Sequence, residues 1–231
     1  MFCLLCSNSF LHNIFLYHYE LLITIIKLIE SDLEATMSNY NVGQLVSDFL
    51  TENKVDTAFG VVSVHNIPML DAIAKTNRIK FVPARGEMGA GHMADGYSRS
   101  KKGIGVVFTS TGPGAANITG ALVEARFAGT PLLHITGQTA TENLDKNQGT
   151  VHEVPNQLEM LKSVSKKAFR ISNPEDALSI LEEALRCCLT APTGPVSIEI
   201  PIDIQRTIIK KPQDIPIVKE DQTSLFLGDL E

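Results

Sequence analysis

Residues 82–117 read VPARGEMGAGHMADGYSRSKKGIGVVFTSTGPGAAN and contain the pattern that decides the fold of this chain. An apolar strand over residues 79–83 leads into Glu87 and a helix over 87–99 that is rich in small residues. A second apolar strand, 104–109, leads into the sequence Thr-Gly-Pro-Gly at 111–114 and then into another helix. Two such strand–turn–helix units in succession bring a carboxylate and a glycine-rich turn to one edge of a parallel sheet. Open α/β sheets bind their ligands at that edge.

The rest of the chain continues the alternation of strands and helices. Apolar residues at helical spacing alternate with short apolar runs that are typical of buried parallel strands. This alternation predicts an α/β fold with three layers, in which helices cover both faces of a parallel sheet. The further predicted strands are 57–61, 131–136, 167–171 and 195–200, and the further helices are 42–53, one capped by Asn66, 115–128, 156–164, and 174–189 capped by Asn173.

The composition sets limits on the function. The chain has 231 residues, 44% hydrophobic and 20% charged, which suits one domain with tails. A net charge of -6 and the lack of a basic run longer than two residues argue against nucleic-acid binding. The cysteines, Cys3, Cys6, Cys187 and Cys188, do not form a disulfide framework, so we predict a cytoplasmic protein. Cys3 and Cys6 have the spacing of half a zinc site, but no second pair lies near them, and we predict no metal site on this chain.

Residues 1–36 differ from the rest in composition. They are rich in Leu, Ile and Phe, but His12, Glu20 and Lys27 interrupt the apolar run that a membrane span would need. They also lack the basic start and the small-residue cleavage site of a signal peptide. Three interpretations stay open: sequence upstream of a natural start at Met37, which we favour, a peripheral membrane helix, or an additional packing helix.

Glu87 is the first candidate for chemistry. An acid in the first turn of a helix often only complements the helix dipole. Glu87, however, follows a buried strand and lies between Gly86 and Gly89, where a crevice can hold a carboxyl group as an acid or base. The 111–114 turn resembles a phosphate-binding loop, but Pro113 removes one donor and the pattern is neither a P-loop nor GxGxxG.

The positions of four histidines each predict a role. His134 lies within a predicted buried strand, and we expect a core residue with satisfied hydrogen bonds. His92 lies on the Glu87 helix, where a packing or interface role is expected. His65 and His152 lie in loops beside the proposed crevice and are candidates for ligand contact. His152 belongs to a polar stretch, 139–155, that predicts a long functional loop.

Several motifs together resemble one family. RGEMGAGHMADGYSR, TSTGPGAAN, PLLHITGQ and TGPVSIEIPIDIQ, in this order, resemble the pyrimidine-binding domain of thiamine-diphosphate enzymes, closest to the acetolactate-synthase-like branch. On this resemblance, residues 37–205 form the pyrimidine-binding domain, and 206–231 form a linker toward a central domain. Carboligase and decarboxylase reactions of 2-oxo acids belong to the family, as does branched-chain amino acid biosynthesis.

The resemblance also implies roles for individual residues. The glutamate that matches Glu87 hydrogen-bonds a ring nitrogen of the cofactor's aminopyrimidine and so promotes loss of the proton from the thiazolium carbon. Further residues are expected to bind the cofactor. These are Gly60, Val61, Val62, Pro113, Asn117 and His152.

Two departures from the family concern the substrate side. The turn 60–66 lacks the tyrosine-proline-glycine-glycine of many acetolactate synthases, and His152 stands where a glutamine is common. A related carboligase or decarboxylase therefore suits the sequence as well as an acetolactate synthase does.

The resemblance implies partners as well. In the family, a separate diphosphate domain of a neighbouring subunit holds the diphosphate and Mg²⁺, and a central domain can carry FAD. We therefore predict a homodimer, or a partner that supplies the diphosphate domain, and little activity for this polypeptide alone. The alternatives are a subunit of a two-chain enzyme and a non-catalytic dimerisation module.

Overall fold

The computed structural model describes residue 18, residues 21–27 and residues 39–219. The chain divides into two units, one ending at Tyr40 and the other beginning at Asn41. In the first unit, residues 21–27 are helical. Most of the predicted N-terminal extension, with Cys3 and Cys6, lies outside the described residues, as does the end of the predicted linker. The boundary predicted at 36/37 stays a prediction.

The second unit contains one sheet of six parallel strands within residues 39–219. Its order is β2-β1-β3-β4-β6-β5. The central strands β3, β4 and β6 are buried along their whole length, as their apolar sequences predicted. The strands are β1 (Thr57–Gly60), β2 (Lys80–Pro83), β3 (Gly105–Thr109), β4 (Leu132–Gln138), β5 (Lys167–Arg170) and β6 (Val196–Pro201).

Helices follow the strands and confirm the predicted α/β alternation. They are α1 (Val42–Glu52), α2 (Ile67–Thr76), α3 (Glu87–Lys101), α4 (Pro113–Asn117), α5 (Thr119–Phe127), α6 (Gln157–Val164), α7 (Ala177–Leu189) and α8 (Ile202–Arg206). The predicted helix 115–128 is divided at Ile118 into α4 and α5. The Thr119 hydroxyl donates to the carbonyl of Ala116 at 2.8 Å, and such a local bond competes with the helical ladder.

The two faces of the sheet carry separate hydrophobic clusters. Helices α3, α5 and α6 pack on one face, where small alanines of α3 and α5 allow close approach to Val107 and Leu132. Helix α7 packs on β4, β5 and β6 and also contacts α1, which presents Phe49 and Leu50 to the core. The three-layer arrangement predicted from the sequence is confirmed.

A capping box fixes the start of α1. The Asn41 side chain accepts from the Gln44 backbone N–H at 2.9 Å, and the Gln44 side chain accepts from the Asn41 N–H at 2.8 Å. The predicted linker contacts Asn53, the residue that follows this helix: Asn53 Nδ2 donates to Pro216 O at 3.0 Å, and the Val218 N–H donates to Asn53 Oδ1 at 2.8 Å. Pro216 and Val218 are thus hydrogen-bonded to the domain, and the linker role of 206–231 stays a prediction.

His134 lies in the core between two hydroxyl groups. Its Nε2 is 2.9 Å from Thr109 Oγ1 and its Nδ1 is 2.9 Å from Ser197 Oγ. The side chain is fully buried, and burial lowers the pKa of His134 to about 3. The expectation of a satisfied core histidine is confirmed.

This buried imidazole makes the domain sensitive to acid. The unfolded chain binds a proton at His134 near pH 6.5 and the folded chain does not, so stability falls as the pH drops from 6.5 toward 3. We expect His134 to contribute a loss of about 1.4 kcal/mol per pH unit in this window. Urea unfolding at several pH values will measure a shallower pH dependence for His134→Gln than for the wild type. If the free energy of unfolding depended on pH equally in the two proteins, His134 would not be the source of the acid sensitivity.

Candidate functional site

The loops that follow β1, β2, β3 and β4 meet at the carboxyl edge of the sheet. The Ala84 N–H, after β2, donates to the carbonyl of Gly60 at 2.8 Å. The Val61 N–H donates to the carbonyl of Phe108 at 3.2 Å. A Cβ on Gly60 would lie 2.3 Å from that same carbonyl oxygen, so only glycine allows β1 and β3 to approach this closely. The sequence prediction that these segments share one edge is confirmed.

Glu87 lies at the first position of α3 and contacts the 111–114 turn. Its Oε2 accepts a hydrogen bond from Asn117 Nδ2 at 3.2 Å. A Cβ added to Gly114 would lie 2.9 Å from Glu87 Oε1, so the carboxylate rests directly on this glycine. The structure therefore brings together Glu87, Asn117 and the residues around Pro113, whose ring is exposed beside them.

Gly112 has a backbone that suits only glycine. Its φ is 56° and its ψ is -113°, a region that residues with a Cβ avoid. A Cβ at this position would lie 1.9 Å from the carbonyl oxygen of His152. The long loop 139–155 thus closes onto the turn through the backbone of His152, which itself has a φ of 64° and an exposed side chain.

His65 joins His152 at this edge. The centroids of the two rings are 5.5 Å apart, and His65 is only 9% exposed. Burial, and then the charge of His152, lower the pKa of His65. Within the described part of the chain, Nδ1 of His65 and Oε1 of Glu153, the residue after His152, are buried without a hydrogen-bond partner. Buried polar atoms are rarely left without a hydrogen-bond partner.

The β1–α2 loop differs from the prediction in one respect. Asn66 precedes α2 but makes no side-chain cap; its Nδ2 donates to the carbonyls of Val61 at 2.9 Å and Thr109 at 3.0 Å. Asn66 therefore connects the loop to the end of β3. Ser63 strengthens this connection through a 2.7 Å contact with Ser110 Oγ. The exposed Val62 and the half-buried Val61 lie on the same short loop.

A buried polar network supports the turn, and sequence reasoning missed it. Thr111 Oγ1 lies 2.8 Å from Gln138 Oε1 and 2.9 Å from Gln157 Oε1. The Gly112 N–H donates to the same Gln157 oxygen at 2.6 Å. Gln157 Nε2 then donates to Glu199 Oε2 at 2.9 Å. The sequence contained one signal of this network. Glu199 is a charged residue within the mostly apolar run 195–200, which is predicted to be a buried strand.

Among residues 18, 21–27 and 39–219, no group of three His, Cys, Asp or Glu side chains is arranged to hold a metal ion. Across the same residues, no helix has the length and hydropathy that crossing a bilayer requires. Cys187 and Cys188 are both free thiols.

The contact between Gly112 and His152 can be tested with a matched glycine. Gly149 also has a positive φ, 71°, but a Cβ there would meet nothing within 4 Å. We expect Gly149→Ala to cost about 1–2 kcal/mol from backbone strain alone. Gly112→Ala adds a steric clash and is expected to cost roughly 2–5 kcal/mol. Urea unfolding of both variants measures the difference, and equal losses would show that the loop does not press on the turn.

Comparisons with known proteins agree with this geometry. The family model for the thiamine pyrophosphate enzyme N-terminal TPP binding domain matches residues 40–160. The mitochondrial acetolactate synthase catalytic subunit of Saccharomyces cerevisiae is 29% identical over 183 residues, which are 79% of this chain and 26% of that protein. A probable 2-ketoarginine decarboxylase of Pseudomonas aeruginosa is 33% identical over 162 residues, 70% of this chain and 29% of that protein.

A third relative extends the comparison to another bacterium. The acetolactate synthase large subunit of Corynebacterium glutamicum is 31% identical over 156 residues, 68% of this chain and 24% of its own length. The chain thus spans about a quarter of the length of the curated relatives that it matches. The matched region contains Glu87, the 111–114 turn and His152. The chain belongs to the family of N-terminal TPP binding domains of thiamine pyrophosphate enzymes, and it is acetolactate-synthase-like.

Proposed function

We propose that this chain binds the pyrimidine half of thiamine diphosphate for a carboligase or decarboxylase of 2-oxo acids, with Glu87 as the catalytic carboxylate. The observation that carries the proposal is the contact of the Glu87 carboxylate with Gly114 and Asn117 at the carboxyl edge of the sheet. A carboxylate at this position is half-buried and can share a proton with a ring nitrogen of a bound heterocycle.

The residues at the edge fit such a ring. Gly114 presents no side chain beside the carboxylate, and Pro113 and Asn117 are exposed next to it. We assign the walls of the pocket to Pro113, Asn117 and His152, together with the turn Gly60, Val61 and Val62. When bound, thiamine diphosphate supplies a thiazolium that stabilises a carbanion derived from the substrate. The part of this chain is to orient the pyrimidine and to hold and return one proton at Glu87.

The substrate class is supported by the relatives. The names of two of them give acetolactate synthase, and the name of a third gives a probable 2-ketoarginine decarboxylase. We propose a 2-oxo acid as the substrate of the assembled enzyme, and a role in branched-chain amino acid biosynthesis as one setting for it. The free thiols Cys187 and Cys188 suit the cytoplasmic location that we predicted.

A diphosphate-binding domain completes the site in this proposal. The chain spans about a quarter of the length of its relatives and matches their N-terminal domain. We assign the diphosphate, its Mg²⁺ and any FAD to other domains, so this polypeptide alone should bind the cofactor weakly and turn over little substrate. A second subunit, identical or different, would bring the diphosphate domain to the Glu87 edge.

An exposed apolar surface on α3 and α5 suits such a subunit. Phe127 is 91% exposed, and Val123 lies one turn before it on the same helix. Met88 is exposed on α3 beside Gly120 of α5, where an added Cβ would lie 3.4 Å from its sulfur. Exposed apolar residues that form a continuous surface mark interaction sites. We call Met88, Val123 and Phe127 the α3–α5 surface and propose that a neighbouring subunit covers it.

Cofactor binding by the isolated chain tests the function. We expect thiamine diphosphate with Mg²⁺ to shift the backbone amide signals of Glu87, Gly114 and Asn117 in a two-dimensional NMR titration, with weak affinity. Glu87→Gln removes a charged hydrogen-bond partner and should weaken binding about tenfold or more, because such a bond contributes roughly 1.5–3 kcal/mol.

A second acidic residue near a helix start provides the control. Glu175 lies in the short helical turn that leads into α7, 88 residues after Glu87 in the sequence. Glu175→Gln therefore also removes an acid from the start of a helix, where it complements the helix dipole. It should leave binding unchanged. If Glu87→Gln binds as tightly as the wild type, Glu87 only complements the helix and the chain is a non-catalytic module.

The α3–α5 surface gives a prediction of its own. Phe127→Asp places a charge in the proposed interface and should shift the protein toward monomers in analytical ultracentrifugation, without lowering its unfolding midpoint by much. Ile217→Asp is the matched control, since Ile217 is 58% exposed in the C-terminal segment. A wild-type protein that stays monomeric at high concentration, with and without a diphosphate-domain protein, would refute the interface.

A further inference from the structure

We propose that Gln157 is a positioning residue that holds the 111–114 turn in place, and that the buried carboxylate of Glu199 sets the orientation of its amide. The inference rests on the proposed function, because the turn matters for catalysis only if it lines the pyrimidine pocket. The network reaches the turn through hydrogen bonds to Thr111 and Gly112.

Gln157 is the first residue of α6 and is only 1% exposed. Its Oε1 accepts the Gly112 N–H at 2.6 Å and lies 2.9 Å from Thr111 Oγ1. Gly112 is also limited on its other side by the carbonyl of His152, so the turn has contacts from two directions. These contacts fix the backbone from which Pro113 and Gly114 extend toward Glu87.

A side-chain amide can present either its oxygen or its nitrogen, and Glu199 decides between them. An ionised carboxylate only accepts hydrogen bonds. Glu199 Oε2 accepts from Gln157 Nε2 at 2.9 Å, and Gln138 Nε2 lies 3.4 Å from the same oxygen. Both amide nitrogens therefore face Glu199, and both amide oxygens face the turn, where Gln138 Oε1 lies 2.8 Å from Thr111 Oγ1.

Arg170 forms an ion pair with Glu199. Glu199 is fully buried, and Arg170 Nε donates to its other oxygen, Oε1. Arg170 also donates to Asp145 Oδ2 at 2.6 Å, so the guanidinium bridges a buried and an exposed acid. A buried carboxylate without its partner is strongly destabilising, which makes this pair a firm support for the two amides. A support of this kind positions pocket residues more precisely than a loop can alone.

Hydrogen exchange of the ligand-free full chain tests the positioning. In Gln157→Leu the Gly112 N–H loses its acceptor, and we expect its exchange protection to fall about tenfold relative to that of Ile135 in the core of β4. If Gln157 only stabilised the fold as a whole, the exchange protection of the Gly112 and Ile135 amides would fall by the same factor. Asn53→Leu is the matched control, because it removes a buried amide at the far end of α1 and should leave the ratio unchanged.

A second variant covers the case in which Gln157→Leu does not fold. Gln157→Glu keeps the shape of the side chain, but the new carboxyl can donate to Glu199 only when it is protonated. The Gly112 protection should therefore be low at pH 8 and recover as the pH is lowered toward 5, whereas the wild type should show no such recovery. A ratio of Gly112 to Ile135 protection that stays at the wild-type value in every folded variant overturns the proposal.

Titration with thiamine diphosphate and Mg²⁺ separates the two hypotheses. If the wild type binds and Gln157→Leu binds about tenfold more weakly, both the proposed function and the positioning role are supported. If the wild type binds and Gln157→Leu binds equally well, the positioning role is wrong and the proposed function stands. If the wild type does not bind even with a diphosphate-domain protein, the proposed function is wrong, and the exchange ratio alone then decides whether the network holds the turn.

Discussion

The close contact of Glu87 with Gly114 is the constraint on which the functional edge depends. The carboxylate oxygen lies 2.9 Å from where a Cβ would be, so any larger residue would push the acid away from the turn. Gly112 has the same role two residues earlier, where it admits the carbonyl of His152. Gly112 and Gly114 flank Pro113, and they let the long loop and the acid, respectively, contact the turn. A side chain at either glycine would push its neighbour away.

The edge also depends on polar groups that are far from solvent. Thr111 and Gly112 are supported by Gln157, and Gln157 is oriented by Glu199. A buried acid in a central strand costs free energy unless it is paired and hydrogen-bonded, as Glu199 is with Arg170. An apolar residue of similar volume at this position would stabilise the fold at least as well. The presence of Glu199 in β6 is consistent with a need for a well-defined backbone at the turn.

Sequence patterns predicted the sheet, the helices and the shared edge, because apolar periodicity and turn residues act locally. They also placed Glu87, Pro113 and Asn117 on adjacent units, and the resemblance supplied roles for them that stay predictions. The Gln157–Glu199 network was not foreseen because it joins residues 42 positions apart whose polarity alone does not reveal a partner. Asn66 is a second example. Its position before α2 predicted a helix cap, but its side chain donates instead to the carbonyl of Thr109, 43 residues away.

His65 and His152 bring two imidazole rings to this edge of the sheet. His65 lies in the turn 60–66, and the centroid of its ring is 5.5 Å from that of His152. Because burial and the neighbouring imidazole both lower the pKa of His65, it is neutral at pH 7, and its buried Nδ1 can donate or accept one hydrogen bond. A neutral imidazole discriminates among bound groups by hydrogen bonding and shape, with little contribution from charge. If the pocket lies where we propose, such an imidazole favours a bound molecule with a polar group at that position.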